Sequence, residues 1–176
     1  MKIALGADHA GYEYKDRIAE MLRERGHETL DFGTCDATPV DYPQYGFVVG
    51  EAVASGHCDR GIVVCGSSIG ISIAANKVPG VRCAVCYEPL GTELSRRHNN
   101  ANVLALSERL SGWEMIERLV EVFLDAPFDG VKEPRHAHRV DQLFQYTDDQ
   151  RMQTLKYLEA GKVTGAETPA EDLVAK

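Results

Sequence analysis

The residues best suited to chemistry stand together at Cys65-Gly66-Ser67-Ser68-Ile69-Gly70. The apolar run Ile62-Val63-Val64 leads in, and a second begins at Ile69. A strand that stops at Cys65, turns through glycine and serine and enters a helix aims free backbone N–H groups at the thiol. An anion or a developing oxyanion would be stabilised there. A cysteine beside a helix N-terminus can also have a lowered pKa, which makes its thiolate available as base or nucleophile. The loop matches neither of two better-known templates, lacking the Lys of a P-loop and the G-x-G-x-x-G spacing of a dinucleotide site. Because a lone cysteine at a strand end is more often a small hydrophobe, the loop alone signals only the binding of something negative.

Three other groups could join it. Asp8-His9 follows a short apolar run, Ile3-Ala4-Leu5-Gly6-Ala7. Arg135 and Arg139 flank two histidines in Arg135-His136-Ala137-His138-Arg139. Four residues apart on a helix, the two guanidinium groups reach one side and could grip a phosphate; taken alone, a solvated basic face explains them better. Histidines at i and i+2 do not share a helical face, which argues against a metal there. His98, in Arg96-Arg97-His98-Asn99-Asn100, also suits the C-terminal dipole of a helix. Cys83-x-x-Cys86 has no second pair and lies within an apolar run, so both sulfurs are expected in a strand.

The elements that must position these residues alternate. Strands are expected at Ile3–Ala7, Glu28–Phe32, Gly61–Cys65, about Arg82–Tyr87 and Asn102–Leu106. Helices carry Tyr14, Ile18, Met21 and Leu22; Phe47, Val48, Val49 and Val53; and Ile69, Ile71, Ile73, Ala74, Ala75 and Val78, a run too apolar for a surface helix. Pro89 opens another, Trp113, Ile116, Leu119, Val120 and Phe123 mark a long one, and a shorter one covers His138–Tyr146. Thr147-x-x-Gln150 has capping-box spacing ahead of Met152, Leu155 and Leu158, which predicts one more helix, with a frayed tail from about Lys162. The expected fold is α/β, a parallel five-stranded sheet with helices on both faces, residues 1–146 forming the domain and 147–176 an appended helix and tail. Strand order 2-1-3-4-5 would make the first and third strands neighbours at the switch point, bringing Asp8 and His9 beside Cys65 and Ser67.

Composition narrows the class. Of 176 residues, 44% are apolar and 26% charged, ordinary for a soluble domain. A net charge of −8 argues against nucleic acid as the main partner. No apolar run approaches the ~20 residues of a membrane span, and Lys2 to Gly6 lacks the apolar core of a signal peptide. Five cysteines, an odd number, favour free thiols in a reducing compartment. The expectation is a cytoplasmic protein without a structural metal.

The segments Gly6-Ala7-Asp8-His9-Ala10-Gly11, Asp41-Tyr42-Pro43, Cys65 to Gly70, Ile73-Ala74-Ala75-Asn76-Lys77 and His98-Asn99-Asn100-Ala101-Asn102-Val103 resemble the ribose-5-phosphate isomerase B family, which includes the paired subunits of galactose-6-phosphate isomerase. The resemblance runs over residues 1 to about 146. It implies a cofactor-free, metal-free aldose–ketose isomerase of phosphorylated sugars on a Rossmann-like three-layer α/β/α fold. By that resemblance Cys65 is the base between C1 and C2, while Ser67 and the amides of Gly66, Ser68, Ile69 and Gly70 hold an enediolate. His98, with Asp8 assisting, opens the sugar ring. His9, Tyr42 and Asn99 contact substrate, and Arg109, Arg135 and Arg139 take the phosphate. It further implies a homodimer, able to pair into a dimer of dimers, in which Cys65 works with His98, Asn99 and Arg109 of a partner subunit. Two positions depart from the pattern: Ser68 stands where the family usually has Gly, and Ile71 where members lacking the Cys carry a Glu.

Overall fold

Strand and helix alternate along the chain. Lys2–Ala7 forms β1, Tyr12–Glu24 α1, Glu28–Asp31 β2, Pro43–Ala54 α2, Arg60–Cys65 β3, Ile69–Ala75 α3 and Cys83–Val85 β4. Pro89–Arg97 forms α4, Val103–Ser107 β5 and Trp113–Asp125 α5; a 3₁₀ turn at Asp129–Val131 precedes α6, Pro134–Gln145. The computed structural model describes residues 1–145, 151, 152, 155 and 156. The capping box at Thr147 and Gln150, the boundary at 146/147 and the tail past Lys162 lie outside the described residues. The chain divides into two compact units, Met1–Ala137 and His138–Lys176, and the whole sheet lies in the first.

Pleating sends alternate residues of each strand to opposite faces. Ile3, Leu5, Ile62, Val64, Leu104 and Leu106 pack with Ile18 and Leu22 of α1 and Ile116, Leu119 and Phe123 of α5. Ala4, Val63, Cys65, Val103 and Ala105 point the other way, onto Val49 and Val53 of α2 and Ile71 of α3. Burial on both faces is what makes β1, β3 and β5 continuous apolar runs.

All strand pairs are parallel, as expected, but the order is β2-β1-β3-β5-β4 rather than 2-1-3-4-5. The reason lies in the two strands themselves. β5 has five residues, all buried, whereas β4 has three, all half-buried. The longer, wholly buried strand takes the interior and the short one tolerates the edge. β4 also stops short of the Tyr87 expected for it, leaving Cys86 just beyond its end.

α3 differs as well. Its apolar run predicts a buried helix, yet Ile69 and Ile73 are 52% and 56% exposed. Only Ile71, Ala74 and Ala75, with Ser72, turn inward.

Candidate active site

The register of β1 on β3 pairs Ala7 with Val64, so the residues that follow, Asp8 and Cys65, leave the sheet at the same edge. Close approach keeps them there: a methyl group on Gly11 would come within 2.6 Å of the Val64 carbonyl, so the Asp8–Gly11 turn rests directly on the end of β3. Asp8 Oδ1 accepts the Ala10 amide at 3.1 Å. Its other oxygen, Oδ2, accepts the Cys65 thiol at 2.9 Å, and both residues are buried. Burial first, then the hydrogen bond and charge of Asp8, push the thiol up from 9.0 to about 11; the amides of Gly66 and Ser67 pull the other way. The lowered pKa expected beside a helix start is therefore corrected. Two amides favour the thiolate here, but burial and an adjacent carboxylate outweigh them.

The loop after Cys65 is held from several directions. Ser107 is the register partner of Cys65 on β5. Its buried hydroxyl donates to the Gly66 carbonyl at 2.6 Å and accepts the Leu110 amide at 3.0 Å. Glu108 and Arg109 donate their amides to the carbonyls of Cys65 and Gly66. A methyl group on Gly66 would come within 3.1 Å of the Arg109 guanidinium, so Arg109 reaches the loop of its own chain. One on Gly70 would strike the Tyr42 ring at 2.6 Å, which places Tyr42 over the start of α3. Gly66 and Ser68 are buried, Ser67 and Ile69 exposed. His9 stands beside this edge, its Nδ1 accepting the Val40 amide at 3.2 Å and so pinning the loop ahead of α2.

The other expected residues are elsewhere. His98 caps the C-terminus of α4, and Asn99 follows it, exposed. The chain then enters β5, whose Val103 pairs with Gly61 near the start of β3. His98 and Asn99 thus lie at the edge of the sheet opposite Cys65, more than ~10 Å along the strands. The His98 ring stacks on His136, centroids 4.2 Å apart and planes 9° from parallel. His136 is buried, and Arg135 precedes it in the chain. Arg135 is exposed and faces Glu133, Nε to Oε2 3.5 Å; Arg139 is exposed on α6 in the second unit. Within Met1–Ala137 the structure therefore unites Asp8, His9, Tyr42, Cys65, the loop to Gly70 and Arg109, and leaves His98, Asn99 and Arg135 apart from them.

A family model described as Ribose/Galactose Isomerase matches residues 3–143. The chain belongs to that family. It is 46% identical over 142 residues to ribose-5-phosphate isomerase B of Escherichia coli, covering 81% of this chain and 93% of that one. A galactose-6-phosphate isomerase subunit LacB of Clostridium acetobutylicum is 37% identical over 146 residues, 82% of this chain and 84% of that one. Among solved structures, ribose-5-phosphate isomerase B of Clostridium thermocellum superposes with a TM-score of 0.80 at 52% identity, covering 82% of this chain and 96% of that one.

In this ribose/galactose isomerase family member the two departures have physical consequences. Ile71 is fully buried in the core beneath the sheet, so no carboxylate stands ready to replace Cys65. Ser68 adopts φ 64°, a left-handed conformation that glycine takes freely and serine does not. Three residues escaped the sequence reading. Ser107 ends a strand without any motif, His136 stands within a basic cluster, and Tyr87 falls at the expected end of a strand. Among the described residues no cluster of three or more His, Cys, Asp or Glu side chains could hold a metal ion, and no helix is long and apolar enough to cross a membrane.

Proposed function

We propose that this chain is an aldose–ketose isomerase that interconverts ribose 5-phosphate and ribulose 5-phosphate through an enediolate. The observation that carries the reading is the Cys65 Sγ to Asp8 Oδ2 hydrogen bond, 2.9 Å long, beneath the amides of Gly66 and Ser67. With the thiol at about 11, roughly one sulfur in 10⁴ is ionised at pH 7. The working base is therefore the pair. The proton leaves sulfur along the existing hydrogen bond to Asp8 Oδ2, and the thiolate left behind faces two amides. It takes the C2 proton of the open aldose and returns it at C1; the carbonyl oxygen gains the charge that the loop amides stabilise, and the C2 hydroxyl proton passes to that oxygen, leaving the ketone at C2. Tyr42 on Gly70 and Arg109 on Gly66 border the same loop, with Arg109 offering the fork that suits a phosphate.

One chain does not suffice in this scheme, because His98 and Asn99 stand at the wrong edge. We infer a homodimer in which His98 and Asn99 of the partner subunit complete the site of Cys65 and open the sugar ring. Exposed Ile69 and Ile73 on α3 and Leu90 on α4, 61% exposed, supply apolar surface that a second copy would cover. Five free cysteines suit the reducing cytoplasm.

The test is kcat/KM on four-, five- and six-carbon sugar phosphates. A pentose phosphate should lead, because the His98-Asn99 pair resembles the ribose enzymes more than the galactose ones. A hexose 6-phosphate turned over faster would assign the chain to the other substrate of its family. No turnover of any of them would leave a binding subunit.

A further inference from the structure

Two described residues other than glycine have positive φ, Ser68 at 64° and Asn100 at 48°. Asparagine visits that region readily, whereas serine does so only where its surroundings hold it. What surrounds Ser68 is Tyr87, from the turn between β4 and α4. The Tyr87 hydroxyl donates to the Ser67 carbonyl at 2.9 Å and accepts the Ser68 hydroxyl at 3.3 Å. Ser68 Oγ also lies against the Ser67 carbonyl, so its single proton serves one of two neighbouring oxygens. Ser68 itself is fully buried, while Tyr87 is 38% exposed.

We propose that Tyr87 is a positioning residue of the site, a clamp that holds Ser68 left-handed and so keeps the Gly66 and Ser67 amides aimed at Cys65. The proposal rests on the isomerase reading for its kinetic consequence and not for its geometry. Ser67 is gripped from two sides, its amide facing the sulfur and its carbonyl facing Tyr87. Without the phenol oxygen, the Ser67 carbonyl loses a partner that opposes relaxation of Ser68 toward ordinary φ, and that relaxation would turn the Ser67–Ser68 peptide and the amides just before it. With glycine at 68 the left-handed turn needs no support. Tyr87 therefore compensates for a serine where the family usually has glycine. Being part-exposed, the contact leaves no stranded buried polar group when the hydroxyl is removed, because water can reach the Ser67 carbonyl from the same side.

The experiment compares wild type, Tyr87→Phe, Ser68→Gly and the double variant by two readouts. One is ribose 5-phosphate kinetics; the other is the rate at which iodoacetamide alkylates Cys65 at a fixed pH, followed by the mass of its peptide. Tyr87→Phe should lower kcat about tenfold with KM within about twofold, the mark of donors lost chiefly in the transition state. Alkylation should slow about fivefold as the thiolate loses its amides. Adding Ser68→Gly should restore both to within about twofold of Ser68→Gly alone, a rescue that general loss of packing would not give. Wild-type kcat and alkylation in Tyr87→Phe would overturn the clamp. So would a double variant as impaired as Tyr87→Phe. Should the wild-type protein turn over no sugar phosphate, the isomerase reading falls and the alkylation cycle alone decides the clamp.

Discussion

At Cys65 two opposed influences meet, and their magnitudes decide the resting state. The Gly66 and Ser67 amides favour a thiolate, yet desolvation and the Asp8 carboxylate together carry the group to about 11. The residue types and the fold argument were enough to bring Asp8 to Cys65. The sign of the shift was not legible, because it depends first on how deeply the thiol is buried and then on Asp8 lying at 2.9 Å and not a few ångströms further off. The sign has a consequence. A thiol raised above its ordinary 9.0 stays protonated through neutral pH, so alkylation of Cys65 should rise with pH up to a midpoint near 11. Asp8→Asn removes the charge and the anionic acceptor, so that midpoint should fall toward 9 while turnover also falls, by roughly 10²-fold or more, because the proton loses its destination. Peptide-resolved alkylation from pH 7 to 12 reads the first effect and kcat the second. An unmoved midpoint would mean that burial alone sets the thiol.

At the scale of elements, exchange of the last two strands determines which side chains meet the loop. In the order 2-1-3-4-5, the end of β4 would flank β3. With β5 there instead, Ser107 stands beside Cys65 and Arg109 over Gly66, while Tyr87 reaches across from the turn after β4. Alternation of strand and helix revealed the sheet and its parallel sense, but it carries no information on which of two apolar strands is interior. Burial along each strand did carry it: five buried residues, four of them apolar ahead of Ser107, against three that are half-buried. The exposed face of α3 was illegible for a related reason, since an isoleucine awaiting a partner looks like one awaiting a core. The seat of the Asp8–Gly11 turn on β3 offers a direct test of how tightly elements hold the site. Gly11→Ala would set a methyl group 2.6 Å from the Val64 backbone, where no side chain can yield. The turn should lift, costing about 1–3 kcal/mol. Thermal unfolding should show a Tm lower by several degrees, with kcat reduced as Asp8 moves from Cys65. A variant with unchanged Tm would mean that the turn does not rest on β3 as described.

For the molecule as a whole, the separation of Cys65 from His98 within Met1–Ala137 makes a sharp prediction about assembly. If each site draws Cys65 from one chain and His98 from another, Cys65→Ala and His98→Asn homodimers are both inactive, but for different halves of the site. In a mixed dimer one site combines both lesions. The other combines the intact Cys65 of one chain with the intact His98 of the other. Random pairing makes half the dimers mixed, each with one good site of two, so about a quarter of wild-type activity should return. Sites confined to single chains would all remain broken whatever the pairing. Refolding the two variants together and separating the products by a charge tag on one of them verifies exchange. The stacking of His98 on His136 calls for one control: circular dichroism and Tm of His98→Asn alone, since loss of the stacked pair could loosen the start of α6. With that variant folded and the mixed dimer isolated, recovery near a quarter establishes a site shared between two copies. Mixed dimers that form and stay inactive would return His98 to a purely structural cap on α4.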